Sequence, residues 1–185
     1  DDDKGNASGS VYVFVKPAGG WTGALNESAK LQASDGTAGD RFGVAVAMAS
    51  DTIVVGTRPD GIFNGAAYVF MKPAVGWTGT LIESAKLRAS DGAAGDSFGG
   101  SVALAGDTVV VGAPSANTFV GSAYVFVKPA EGWMGMLNES AKLQASNHSG
   151  EPHVGFSVAI AGDRVVLGAI GADSHGAAYV FVKPT

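Results

Sequence analysis

The 185-residue chain is 46% apolar and 16% charged, with a formal charge of −5 and a mean hydropathy of +0.20. That composition supplies a core and excludes disorder, and its scattered lysines form no basic stripe, which excludes nucleic acid as a partner. No apolar run approaches the roughly 18 to 20 residues of a membrane-spanning helix, and the lack of cysteine removes disulfides, thiolate metal sites and a cysteine nucleophile.

Residues 1–9, beginning Asp1-Asp2-Asp3-Lys4, read as a processed terminus or a tag remnant and are set apart from the fold. Residues 10–41 carry "SVYVFV", then Trp21 behind Lys-Pro and a glycine-bearing turn, then Glu27-Ser28-Ala29-Lys30-Leu31. They read as the third and fourth strands of an incomplete unit. Residues 42–97 spell a complete unit, and residues 98–152 spell it again.

In the second of these, Gly99 to Ala105 alternates Gly100, Val102 and Leu104 with Ser101, Ala103 and Ala105, which predicts a strand with one tight, small-residue face. Gly106-Asp107 predicts a hairpin turn, as do Ser50-Asp51 and Gly162-Asp163. Val109, Val110 and Val111 are apolar on consecutive positions, so both faces of the second strand should be covered, as should both faces of Ala123 to Val127. The more polar stretch from Leu137 to Ala145 is expected to be one solvated outer strand that resists unwanted pairing. Residues 153–185 supply a first, second and third strand and end on "GAAYVFVKPT".

These segments recur with a fixed period. Tyr12, Tyr68, Tyr124 and Tyr179 lie 56, 56 and 55 residues apart, and Trp21, Trp77 and Trp133 keep the same interval. The reading is all-β: propeller-like blades of four antiparallel strands in three repeats of about 56 residues, since a sheet greasy on both faces is covered by copies of itself.

Phe98-Gly99-Gly100-Ser101-Val102, Val111-Gly112-Ala113-Pro114 and Gly121-Ser122-Ala123-Tyr124-Val125-Phe126 together resemble the FG-GAP repeat of integrin-α-like propellers. The first copy keeps Phe42-Gly43 but has Gly56-Thr57-Arg58, and the third has Val154-Gly155 and Gly168-Ala169-Ile170. The resemblance implies a propeller and raises calcium, held in many members by an Asp-rich loop between the first and second strands. One carboxylate per hairpin does not make that loop, so no cofactor is expected.

Candidate sites are sparse. Asp35 and Asp40, like Asp91 and Asp96, could share a cation but in glycine-rich turns should bond local backbone amides. His148, Glu151 and His153 offer metal ligands without a fixing spacing. Gly155-Phe156-Ser157-Val158-Ala159 is a faint match to a nucleophile elbow. Trp21, Trp77 and Trp133 either display indoles on which a sugar could stack or fill the space between blades. Asn6, Asn26, Asn138 and Asn147 are N-glycosylation sequons.

The ends of the chain are complementary pieces of a blade, with the third strand supplied twice. Three arrangements fit this: a window on a longer chain, copies joined into a ring or filament through their edge strands, or a small closed ring. The expected function is that of an extracellular or cell-surface, non-enzymatic adhesion or structural protein that self-assembles, with a glycan or a cell-surface protein as further partner. A lectin-like propeller is the alternative.

Overall fold

The dipeptides marked as turns reverse the chain. Ser50, Gly106 and Gly162 open two-residue hairpin loops with φ of 50°, 55° and 58°, a conformation that suits short hairpins. The computed structural model describes residues 3–58, 64–146 and 149–184.

Strands β1 (Val11–Val13) and β2 (Ala29–Gln32) pair antiparallel. The next repeat contains β3 (Ala45–Ala49), β4 (Thr52–Gly56), β5 (Ala67–Met71), β6 (Gly79–Ile82) and β7 (Ala85–Arg88). It is followed by β8 (Ser101–Ala105), β9 (Thr108–Ala113), β10 (Ser122–Val127), β11 (Gly135–Asn138) and β12 (Ala141–Leu143). The last repeat gives β13 (Val154–Ala161), β14 (Arg164–Ala169) and β15 (Ala177–Val182). Helix among the described residues amounts to single turns at Ala116–Phe119 and Ala172–Ser174.

Four sheets result, with strand orders β1-β2-β6, β3-β4-β5-β7-β11, β8-β9-β10-β12 and β13-β14-β15. The two central blades each carry four antiparallel strands, as the sequence predicts. The stretch from Leu137 to Ala145 is not one outer strand, however. It breaks at Glu139-Ser140 into β11 and β12, which belong to different sheets.

β12 completes its own blade, whereas β11 reaches back and runs parallel to β7 of the preceding blade, Gly135 opposite Ala85 and Leu137 opposite Leu87. β6 does the same to β2, Gly79 opposite Ala29 and Leu81 opposite Leu31. The outer edges of β2 and β7, of the kind expected to resist pairing, are therefore paired, each by a strand lent from the next repeat. The backbone groups of an edge are satisfied only when something pairs with them. β12 has no such partner among the described strands.

The sheets stack in chain order, with one apolar cluster in each seam, and the stack does not close into a ring. Val109, Val110 and Val111 are buried on both faces of β9, which lies inside the stack. In β14, Val165 and Leu167 are buried but Val166 between them is 37% exposed, because no further sheet among the described residues covers that face.

Adjacent sheets come closest at their inner strands. A Cβ on Gly112 would lie 2.1 Å from the Gly155 carbonyl oxygen of the next sheet, and one on Gly56 would lie 1.9 Å from that of Gly99. The Ser101 hydroxyl donates across the same gap to Gly155 at 2.7 Å. Small residues are needed there because backbone meets backbone.

Residues 6–9, outside the fold in the sequence reading, make backbone contacts of a kind seen elsewhere in the stack. Arg41 and Phe42 amides donate to the carbonyls of Ala7 and Ser8, as those of His153 and Val154 do to Phe119 and Val120.

Candidate functional site

The seams between sheets are where chemistry and packing meet. Trp133 lies on the turn between β10 and β11, 4% exposed, packed in a cluster with Val69, Ala85 and Leu87 of the preceding blade and Val109 and Phe126 of its own. Trp77, 7% exposed, occupies the corresponding seat among Val13, Ala29, Leu31, Ile53 and Phe70. An indole in such a seat buries on the order of 150–250 Å², and neither ring offers a face to a sugar.

Trp21 differs from both. Among the described residues no sheet precedes its own, and it is 59% exposed. The residues after it, Gly23 to Asn26, form no strand, although the corresponding residues 79–82 and 135–138 are β6 and β11.

The seam between the second complete blade and the last sheet holds no tryptophan. In its place is a cavity of about 270 Å³, lined by Val125, Ala141, Leu143, Ile160, Val165 and Phe181 among others. With the exception of Ile160, these are the residues one period on from those that enclose Trp77 and Trp133. Ala29 and Ala85 are buried whereas Ala141 is exposed. The cavity is smaller than typical ligand pockets and suits one large side chain.

A second kind of contact bridges the outer part of each seam. Asp35, in the loop after β2, accepts from the Tyr68 hydroxyl at 2.9 Å and from the Lys86 ammonium, both in the next blade. Asp91 accepts from Tyr124 at 2.9 Å and from Lys142 at 2.6 Å. Burial pushes the Asp35 carboxyl upward, but the hydrogen bonds from Lys86 and Tyr68 outweigh it and hold the group below its ordinary value. For Asp91 the Lys142 hydrogen bond dominates over burial, again lowering it. Both tyrosines are raised, first by burial and then by the carboxylate each one faces.

Asp40 and Asp96 do what turn aspartates do, accepting from the amides of Thr37 at 2.7 Å and Ala93 at 2.8 Å. Asp35 and Asp40 also line a polar cleft of about 410 Å³ with Tyr68, Lys86 and Arg88. The lysine on Asp35 supplies the positive charge that a shared cation would bring.

The first-to-second strand hairpins do not fit a calcium ion. Their single carboxylates Asp51 and Asp107 face the ammonium groups of Lys72 at 3.1 Å and Lys128 at 3.2 Å, whereas calcium needs six or more oxygens. Among the described residues no three histidine, aspartate or glutamate side chains converge on one point.

His153 holds a left-handed turn position, φ 54°, one that Arg41 and Ser97 hold in the other repeats, and its ring lies 5.5 Å from that of Phe119. Glu151 is exposed. His148 and Asn147 lie outside the described residues. Ser157 sits within β13, where the strand runs on to Ala161 and no strand-to-helix turn forms. Asn6, Asn26 and Asn138 are all exposed.

Face-to-face sheets of four antiparallel strands, with a glycine-rich inner approach and a solvated outer edge, are blades of the propeller type, so the chain is an all-β repeat protein. The FG-GAP repeat family matches residues 25–70, 82–126 and 137–181, and the chain belongs to that family. Comparison with curated proteins finds no significant match.

Proposed function

We propose that this chain is an extracellular, non-enzymatic structural or adhesion protein whose blades assemble with further copies of itself. The observation that carries the reading is the pair of apolar faces on which the stack ends. Phe14, Val46 and Met48 are exposed at one end, and Val166, Val180 and Val182 at the other. Apolar surface concentrated in this way marks an interaction site, and open strand edges invite pairing by another chain.

FG-GAP repeats are typical of extracellular and cell-surface proteins, which supports that setting. Among the described residues no helix is long and apolar enough to cross a membrane. The burial of Trp77 and Trp133 weighs against a lectin with three equivalent indoles. Light scattering over a concentration series tests the reading: a mass above 18.5 kDa that grows with concentration is expected, and a constant single-chain mass refutes self-assembly.

A further inference from the structure

We propose that the vacant seat between the second complete blade and the last sheet receives Trp21 of a second copy of this chain, and that two copies joined this way close a six-bladed ring. The inference rests on the self-assembly reading above and specifies its joint.

Seat and plug are both defined by examples within the chain. Val13, Ala29, Leu31, Ile53 and Phe70 pack with Trp77. One period on, Val69, Ala85, Leu87, Val109 and Phe126 pack with Trp133. One further period on, Val125, Ala141, Leu143, Val165 and Phe181 enclose the empty cavity. The free plug carries the same local sequence, Lys-Pro-Ala-x-Gly-Trp, as the two that are seated.

The backbone tells the same story. Gly79–Ile82 and Gly135–Asn138 become strands because β2 and β7 offer an edge to pair with. Among the described strands Gly23 to Asn26 finds no such edge, and β12 has an edge with no occupant. The register transfers directly: Gly23 opposite Ala141, Leu25 opposite Leu143. Glu83 accepts from the amide and hydroxyl of Ser34 at 2.9 and 2.6 Å, and Glu139 from those of Ser90 at the same distances. Glu27 of the arriving copy is then placed to accept from Ser146.

The duplicated third strand resolves by exchange. β15 pairs with β14 at six positions, whereas β1 pairs only with β2, at three. In the joint, β15 of one copy takes the place of β1 on β2 of the other, Tyr179 opposite Lys30 and Val180 opposite Ala29, and β1 is released. Each copy then contributes three blades. Propellers close with about four to eight blades; the three that the described residues supply fall short, two such sets make six and three overshoot. A head-to-tail contact that closes gives a ring rather than a filament.

The test is the solution mass of the intact chain and of two variants. The wild type is expected at twice 18.5 kDa. Trp21→Ala removes the plug and Leu143→Arg spoils the seat, and each is expected to weaken association by about 30-fold or more, as loss of a buried aromatic anchor does.

An equimolar mixture of the two variants should recover a two-chain species, since one copy brings an intact seat and the other an intact plug. Misfolded variants would not complement, so this outcome supports the joint over a general loss of structure. Association that persists in Trp21→Ala overturns the joint while leaving self-assembly standing. A single-chain mass at every concentration overturns both, and open-ended polymers overturn the closed ring.

Discussion

The Tyr124 hydroxyl donates to Asp91, 33 residues earlier in the chain, at 2.9 Å. The same separation joins Tyr68 to Asp35, and in both places a lysine ammonium shares the carboxylate and lies about 5 Å from the tyrosine ring centre, 5.2 Å for Lys142 and 4.9 Å for Lys86. The relationship ties the loop leaving one blade to the third and outer strands of the next. Asp91→Ala leaves the inward-facing Tyr124 hydroxyl without its acceptor and should cost about 1–3 kcal/mol, whereas Asp91→Ala combined with Tyr124→Phe should cost less than Asp91→Ala alone, because the second change removes the hydroxyl that the first leaves unsatisfied. Urea unfolding of the single and double variants reads the difference.

Acid should act on the same seams. Asp35, Asp91 and Glu139 all have folded-state values below their ordinary ones; for Glu139 burial opposes the shift and the Ser90 hydrogen bonds prevail. A carboxylate depressed on folding contributes stability that is complete above its unfolded value, near pH 4, and is lost as pH falls through the folded value. The melting temperature should therefore drop on going from about pH 5 to pH 3. The slope should be shallower in Asp91→Asn and at high salt, since these groups are largely solvent-facing and screened.

The three tryptophans should separate cleanly by position. Trp77→Ala and Trp133→Ala each empty a packed seam and are expected to cost about 3–5 kcal/mol. Trp21→Ala removes a ring that is mostly in water and should leave the single chain's stability within about 0.5 kcal/mol of wild type. Chemical denaturation at dilute protein concentration measures all three, and equal costs would show that the three seats are alike in solution.

Much of this architecture is legible in the residue order. The 56-residue period, the Ser50-Asp51, Gly106-Asp107 and Gly162-Asp163 hairpins and the doubly covered Val109 to Val111 strand all follow from spacing and pattern. The division of the outer segment does not. Gly135 to Asn138 has little alternation of its own, and its partner β7 lies about 50 residues away in a parallel register, so local sequence carries almost no trace of the pairing. The one available sign is the glycine that begins each lent strand, Gly79 and Gly135, at φ of 66° and 67°.

The candidate site was half visible. Recurrence alone marks Trp21, Trp77 and Trp133 as equivalent, yet their exposures differ because burial depends on whether a sheet precedes each one, which no property of the residue itself encodes. Asp35 and Asp91 looked like ordinary turn residues because their partners, Tyr68 and Tyr124, are distant in sequence. Only the constant offset of 33 could have joined them. The fold reached back to Gly9 for a similar reason: it stands one period before Gly65 and two before Gly121, and all three would place a Cβ within about 2.3 Å of a neighbouring carbonyl oxygen.

The close approach of inner strands gives the sharpest test of the stacking. Gly112 packs against the Gly155 carbonyl with room for hydrogen but not for a methyl, a Cβ there lying 2.1 Å from the oxygen and 2.2 Å from the Ser101 hydroxyl. Both obstacles belong to the structure's framework: the first is backbone, and the second is held by its own hydrogen bond to Gly155. Gly112→Ala should therefore push two blades apart and cost at least the 1–3 kcal/mol typical of overpacking, with the largest loss of amide protection in β8, β9 and β13, the strands that meet there. Gly19→Ala is the matched control, since nothing lies within 4 Å of its added carbon, and it should unfold like wild type. If Gly112→Ala also unfolds like wild type, the second complete blade and the last sheet do not pack at the separation described, and the cavity between Val125 and Phe181 loses its walls with it.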